Sequence, residues 1–174
     1  MSEPKPTRRT FVTRAAALPA AAALATAEAS AAPRDAAGGK QVVTIGADNA
    51  VYGASASAFD KYGYSPAVRA GGLLFMAGVV GFRADGTLPE SAAEQGELAF
   101  RRIAEILRLE GLGMEDLVEV VSYHVDLPAN LAAFMPVKER HFKRPFPAWT
   151  ILGVAALALP ELKIEIRCTA ALRR

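Results

Sequence analysis

Glu165 and Arg167 lie two residues apart in the run Leu162–Ala171, and strand alternation puts both on one face. A carboxylate in so apolar a run costs desolvation unless something pairs with it. Glu165 is therefore either a structural ion-pair partner of Arg167 or of a neighbouring strand, or a group that acts on water or on a ligand N–H, with Arg167 holding an anion. His124, within Val120–Val125, is a general base or a half-buried strand histidine. His141 stands near a helix end, where a protonated imidazole favours the dipole. Cys168 alternates with apolar neighbours, as a buried thiol does. Arg144 precedes Pro145 in a loop, at solvent or at the mouth of a cleft. One Cys and two His exclude a disulfide framework within the chain and argue against a zinc or iron centre. There is no Gly-rich phosphate loop, no suggestive Ser-His-Asp arrangement and no CxxC. The expected set of metals and cofactors is empty.

The elements that position these residues follow from periodicity. At 174 residues and 52% hydrophobic, the chain can bury one ordinary core and is not of disordered type. Gln41–Ile45 reads as a short strand and 47–64 as irregular. Ala67–Ala70 and Leu73–Gly81 form a hairpin about Gly71-Gly72, and Asp85-Gly86 marks another turn. Ser91–Glu110 has helical spacing, with Leu98, Ile103, Ile106, Leu107 and Leu109 inward and Arg101, Arg102, Glu105 and Arg108 outward. Gly111 and Gly113 stop it. Leu117–Val125 is a strand. A second helix, capped by Asn130 or starting after Ala133 to keep Pro136 in its first turn, runs to about Phe142. Thr150–Ala156 and Leu162–Ala171 are the last strands. The order β-β-β-α-β-α-β-β predicts an α+β fold, a mixed sheet with two long helices on one face. Leu74, Met76, Val118, Val120 and their neighbours leave apolar residues on both faces. Two helices cover only one, so sister subunits are expected to cover the other.

Residues 1–31 read as an export leader: Arg8-Arg9 before Phe11, an uncharged apolar stretch from Ala15 to Ala27, and small alternating residues at Ala29-Ser30-Ala31. The stretch falls short of the ~20 apolar residues that span a bilayer. Paired arginines suggest the twin-arginine machinery as a partner and a periplasmic or secreted product, with no stable membrane insertion after cleavage. Residues 32–60 are expected to be a linker and N-terminal strand, and 61–174 the main domain. The chain has 20 basic and 18 acidic residues; setting aside the leader's four and two leaves 16 of each. A chain without basic excess lacks the footprint of a nucleic-acid binder.

From Tyr64 to Leu172 the sequence resembles the Rid family (YjgF/UK114). The residues that carry the likeness are Ser65-Pro66-Ala67-Val68-Arg69-Ala70-Gly71, Leu74-Phe75-Met76-Ala77-Gly78, Gly113-Met114-Glu115-Asp116-Leu117-Val118, Phe146-Pro147-Ala148 with Gly153-Val154, and Lys163-Ile164-Glu165-Ile166. The resemblance implies a chorismate-mutase-like fold, a homotrimer with its sheets inward, and small-molecule clefts between subunits. Deaminating members of the family hydrolyse 2-imino acids to 2-keto acids and ammonia. In them an arginine after the Pro-Ala pair grips the substrate carboxylate, a task suited to a bidentate guanidinium. Here that position is Trp149, which has one donor and no charge. A frequent hydroxyl residue before the glycine is Ala77, and an asparagine of the second helix corresponds to Met135. Glu165 matches the glutamate that positions or activates water, and Tyr64 a tyrosine at the cleft mouth.

The resemblance thus implies a ligand site of Tyr64, Phe75, Ala77, Gly78, Met135, Trp149 and Arg167, with Glu165 as the catalytic group. Trp149 is then a stacking wall or an interface packing residue. The replacements suggest an exported trimer that binds a small apolar or aromatic imine, enamine or carbonyl metabolite, with ordinary 2-imino acid deamination weak or absent. The alternative is an imine or enamine deaminase, or related hydrolase, of altered specificity using Glu165 and water. A holdase or structural trimer with vestigial clefts is a further reading. Ribonuclease activity, also attached to the family, fits poorly with the charge balance and the lack of a histidine pair.

Overall fold

The computed structural model describes residues 39–173; the expected leader and the first linker residues lie outside the described residues. Among the described residues, seven strands and three α-helices follow in order: β1 (Gln41–Val43), α1 (Ala58–Tyr62) after a 3₁₀ turn at Gly53–Ser57, β2 (Ala67–Ala70), β3 (Leu73–Met76), β4 (Val79–Val80), α2 (Ala92–Leu109), β5 (Leu117–Val125), α3 (Leu127–His141), β6 (Ala148–Val154) and β7 (Ile164–Ala171). The sheet runs β1-β2-β3-β7-β5-β6, with β4 also pairing β7. Only β5 and β6 are parallel, joined by α3 as their crossover. This is the expected mixed α+β sheet.

Alternation sorts the two faces. Val120, Ser122 and His124 of β5 and Ile164, Ile166 and Cys168 of β7 are buried under the helices. Val42, Phe75 and Leu152 remain exposed on the open face. The helix face closes because α2 and α3 approach at Gly96, where an added Cβ would press on the Phe134 ring. Phe100 and Phe134 stack beside it at 6.0 Å.

Four sequence expectations are corrected here. The 47–64 segment is not irregular, since it forms the 3₁₀ turn and α1. The Leu73–Gly81 strand breaks at Ala77-Gly78 into β3 and β4. Pro136 lies inside α3, whose first turn instead contains Pro128; Asn130 is not its cap but donates to the Val125 carbonyl at 2.9 Å. Buried Phe134 and Val137 carry the helix past the missing proline N–H. The buried flank of α2 also differs. Arg102 is only 4% exposed and Glu105 is buried, whereas Leu109 is 40% exposed. The cause is the folded 49–62 segment, which lies along that flank: Asn49 Nδ2 donates to Glu105 Oε1 at 2.6 Å, and Tyr52 packs over Arg102.

Gln95 holds two loops to α2. Its Nε2 donates to the Pro89 and Glu161 carbonyls at 2.8 and 2.9 Å, and its Oε1 accepts from the Lys163 N–H at 2.8 Å. The side chain is wholly buried, so truncation strands backbone groups without solvent. Gln95→Ala is expected to cost about 2–4 kcal/mol, read as a drop in the urea midpoint at unchanged slope.

Candidate functional site

The break between β3 and β4 is where chemistry can occur. Glu165 projects from β7 on the open face, opposite Val80 of β4 and Tyr123 of β5. Its carboxylate lies so close against Gly78 that an added Cβ there would overlap Oε1. Glycine is thus what lets the acid reach this position. No ion pair holds Glu165 among the described residues, and Arg167 turns out to solvent; the expected Glu165–Arg167 pair is not formed. Burial alone raises the Glu165 carboxyl above its usual range.

An open groove of about 730 Å³ runs past this acid. Tyr64, Ala77, Gly78, Phe82, Leu159 and Glu165 are among its walls, with Ser55, Ser57 and Lys61 as polar members. The Tyr64 phenol is raised by burial and by the Glu165 charge, while the Arg102 charge opposes. Tyr64 therefore stands in the field of both groups. The sequence reading left out the 54–62 segment and the 158–162 loop as walls. It also left out Arg102, which reaches a smaller cavity adjoining the groove. Its only signal was an arginine beside a helical apolar face.

Of the residues singled out in the sequence, the structure brings Tyr64, Ala77, Gly78 and Glu165 together along this groove. Phe75, Met135, Trp149 and Arg167 are not among its lining within one chain. Trp149 points to the helix face: its Nε1 donates to buried Ser122 Oγ at 2.9 Å, its ring meets Phe142 edge-on at 6.0 Å, and Lys138 Nζ lies 4.6 Å over it. Within a single chain the sheet separates the indole from Glu165.

The remaining candidates are structural in their surroundings. His124 is fully buried, edge-on to Phe134 at 4.8 Å, with neither ring nitrogen partnered. Burial lowers it to about 4 from 6.5, so it is neutral in the fold. His141 Nε2 lies 3.1 Å from Glu97 Oε2, and its ring stacks on Phe100. Cys168 is a buried free thiol pushed up by burial. Arg144 is exposed over the Phe146 ring. No cluster of three or more metal-ligating side chains occurs among the described residues.

The mixed sheet with its helices on one face is the fold of a known class. The chain belongs to the family described as Endoribonuclease L-PSP, whose model matches residues 55–172. Among curated relatives, it is similar to the RutC family protein YjgH of Escherichia coli, 36% identical over 111 residues, covering 63% of this chain and 85% of the relative. It is 35% identical over 114 residues to Reactive Intermediate Deaminase A, chloroplastic, of Arabidopsis thaliana, covering 63% of this chain and 58% of that protein. The solved structure of Protein YjgH superposes with a TM-score of 0.63 at 35% identity, covering 68% of this chain and 90% of that one. A member of the YjgF/YER057c/UK114 family from Mycobacterium tuberculosis gives 0.62 at 27% identity, covering 76% and 99%.

His124 makes a pH prediction. The unfolded chain binds a proton near pH 6.5 that the folded core refuses until about pH 4, so stability falls as pH drops through that window. The loss at pH 5 is expected to be about 2 kcal/mol. His124→Leu, which removes no hydrogen bond, should flatten this part of the pH–stability curve measured by urea unfolding.

Proposed function

We propose that this chain hydrolyses a small imine or enamine in the groove beside Gly78, with Glu165 as the proton-transfer group. The observation that carries the reading is the Glu165 carboxyl itself: half-buried, without a cationic partner among the described residues, and facing a groove that Tyr64 also lines. Burial raises the proton affinity of this carboxyl, which makes it a better base toward water and a donor to a ligand nitrogen. Water would add to the imine carbon as its proton passes to Glu165. The carboxyl would return that proton to nitrogen, giving a carbinolamine; the same carboxylate would then carry the hydroxyl proton to the amino nitrogen as the C–N bond breaks and the C=O bond forms, so that ammonia leaves a carbonyl product. The likeness to a protein named Reactive Intermediate Deaminase A supports the same class of reaction.

Binding without turnover is the second reading, favoured by the apolar members of the wall: Ala58, Val80, Phe82, Leu159 and Leu162. Ribonuclease chemistry gains no support, because His124 is sealed in the core and His141 faces Glu97.

The reading includes a homotrimer exported by the twin-arginine route. Exposed Val42, Phe75 and Leu152 give the open sheet face an apolar surface suited to sister copies. Covering that face would place Phe75 and Arg167 at the subunit boundary. Sedimentation at micromolar concentration should give three chains per particle; a monomer would reject the assembly. Fusion of residues 1–31 to a reporter should yield a periplasmic product only with Arg8-Arg9 intact.

The catalytic test is Glu165→Gln. Ammonia release from imines of small keto acids and aldehydes should fall at least about 100-fold. Turnover equal to that of the parent would end the hydrolase reading; binding of the same compounds without turnover by either protein would favour the second.

A further inference from the structure

Arg102 is a buried cation with no neutralising carboxylate among the described residues. It projects from α2 beneath the 3₁₀ turn. Its guanidinium carbon sits 4.7 Å from the Tyr52 ring and 5.9 Å from that of Phe82. One terminal nitrogen, Nη2, donates to Ser55 Oγ at 2.6 Å. Nε is buried and has no hydrogen-bond partner. No carboxylate pairs with it among the described residues. Aromatic faces offset only part of the cost of burying such a charge. The fold therefore retains a guanidinium with an unused donor in a largely dry place.

Beside it is a cavity of about 80 Å³ lined by Tyr52, Ser55, Tyr64, Gly78, Phe82 and Arg102. One water needs only roughly 10–15 Å³ of such space, so the cavity has room for a carboxylate group. The cavity shares Ser55, Tyr64, Ala77, Gly78 and Phe82 with the larger groove. A group seated on Arg102 would thus leave the rest of its molecule directed toward Glu165. Arginine suits such a ligand because its planar fork matches two carboxylate oxygens.

We propose that Arg102 forms an anion subsite at the inner end of the groove, holding the carboxylate of a small organic acid whose remainder extends to Glu165. The subsite lies on α2, away from Trp149, where the family resemblance implies a carboxylate grip. It deepens the hydrolase reading by naming an acid-bearing ligand, and it rests on that reading only for the Glu165 end.

The test uses the full chain with sodium acetate as probe, sodium chloride at equal ionic strength as background, and acetamide as the neutral isostere. Acetate should raise the melting temperature in a concentration-dependent way, with acetamide and chloride doing so far less. Its dissociation constant should rise at least about tenfold in Arg102→Met and by less in Arg102→Lys, which keeps the charge and loses the fork. Should Arg102→Met fail to fold, Arg102→Lys and the acetate–acetamide contrast in the parent decide the matter. Acetate acting no better than acetamide, or binding Arg102→Met as it binds the parent, overturns the subsite. Glu165→Gln separates the two ideas. Retained acetate binding with unchanged turnover would reject the reaction alone, and lost turnover without any acetate binding in the parent would reject the subsite alone.

Discussion

The closeness of the Glu165 carboxylate to the Gly78 backbone is the constraint on which the rest of the site depends. A strand carrying a side chain at residue 78 would force the acid out toward solvent, and a continuous β3–β4 strand would leave no recess beside it. The break at Ala77-Gly78 gives the acid a place, and the groove opens along the same break. The acid then sits half-buried with no counter-ion among the described residues, a state that costs free energy.

Much of this was legible in the sequence. The alternation around Glu165, the Gly71-Gly72 hairpin and the helical spacing of 91–110 gave the two long helices and the two-faced sheet, but not α1 or the break between β3 and β4. The likeness at 74–78 and 163–166 pointed to the acid and its glycine before any contact was known. Trp149 was a harder case, because a motif gives a position along a strand but not the face. Only the Ser122 hydroxyl and the Phe142 ring show that the indole turns toward the helices.

Arg102 was misread for a physical reason. Helical periodicity assigns a residue to the polar side of a wheel on the assumption that this side meets water. Here the 49–62 segment, whose Gly, Ala and Ser content carries little periodic signal, folds across that side and buries both Arg102 and Glu105. Its anchor is Asn49, whose Oδ1 accepts from the Val51 and Tyr52 N–H groups while its amide reaches Glu105. Short-range turn chemistry thus decided what the environment of a distant helix would be, and a reading along the chain has no access to that.

Helix α2 contributes at both ends of the same recess. Arg102 borders its inner cavity, and Gln95, two turns earlier, secures the backbone of the loop whose Leu159 and Leu162 form part of the outer wall. One stiff rod therefore sets the distance between floor and rim. A compartment framed in this way discriminates among guests by their length and girth, as a gauge does, rather than by closing over them.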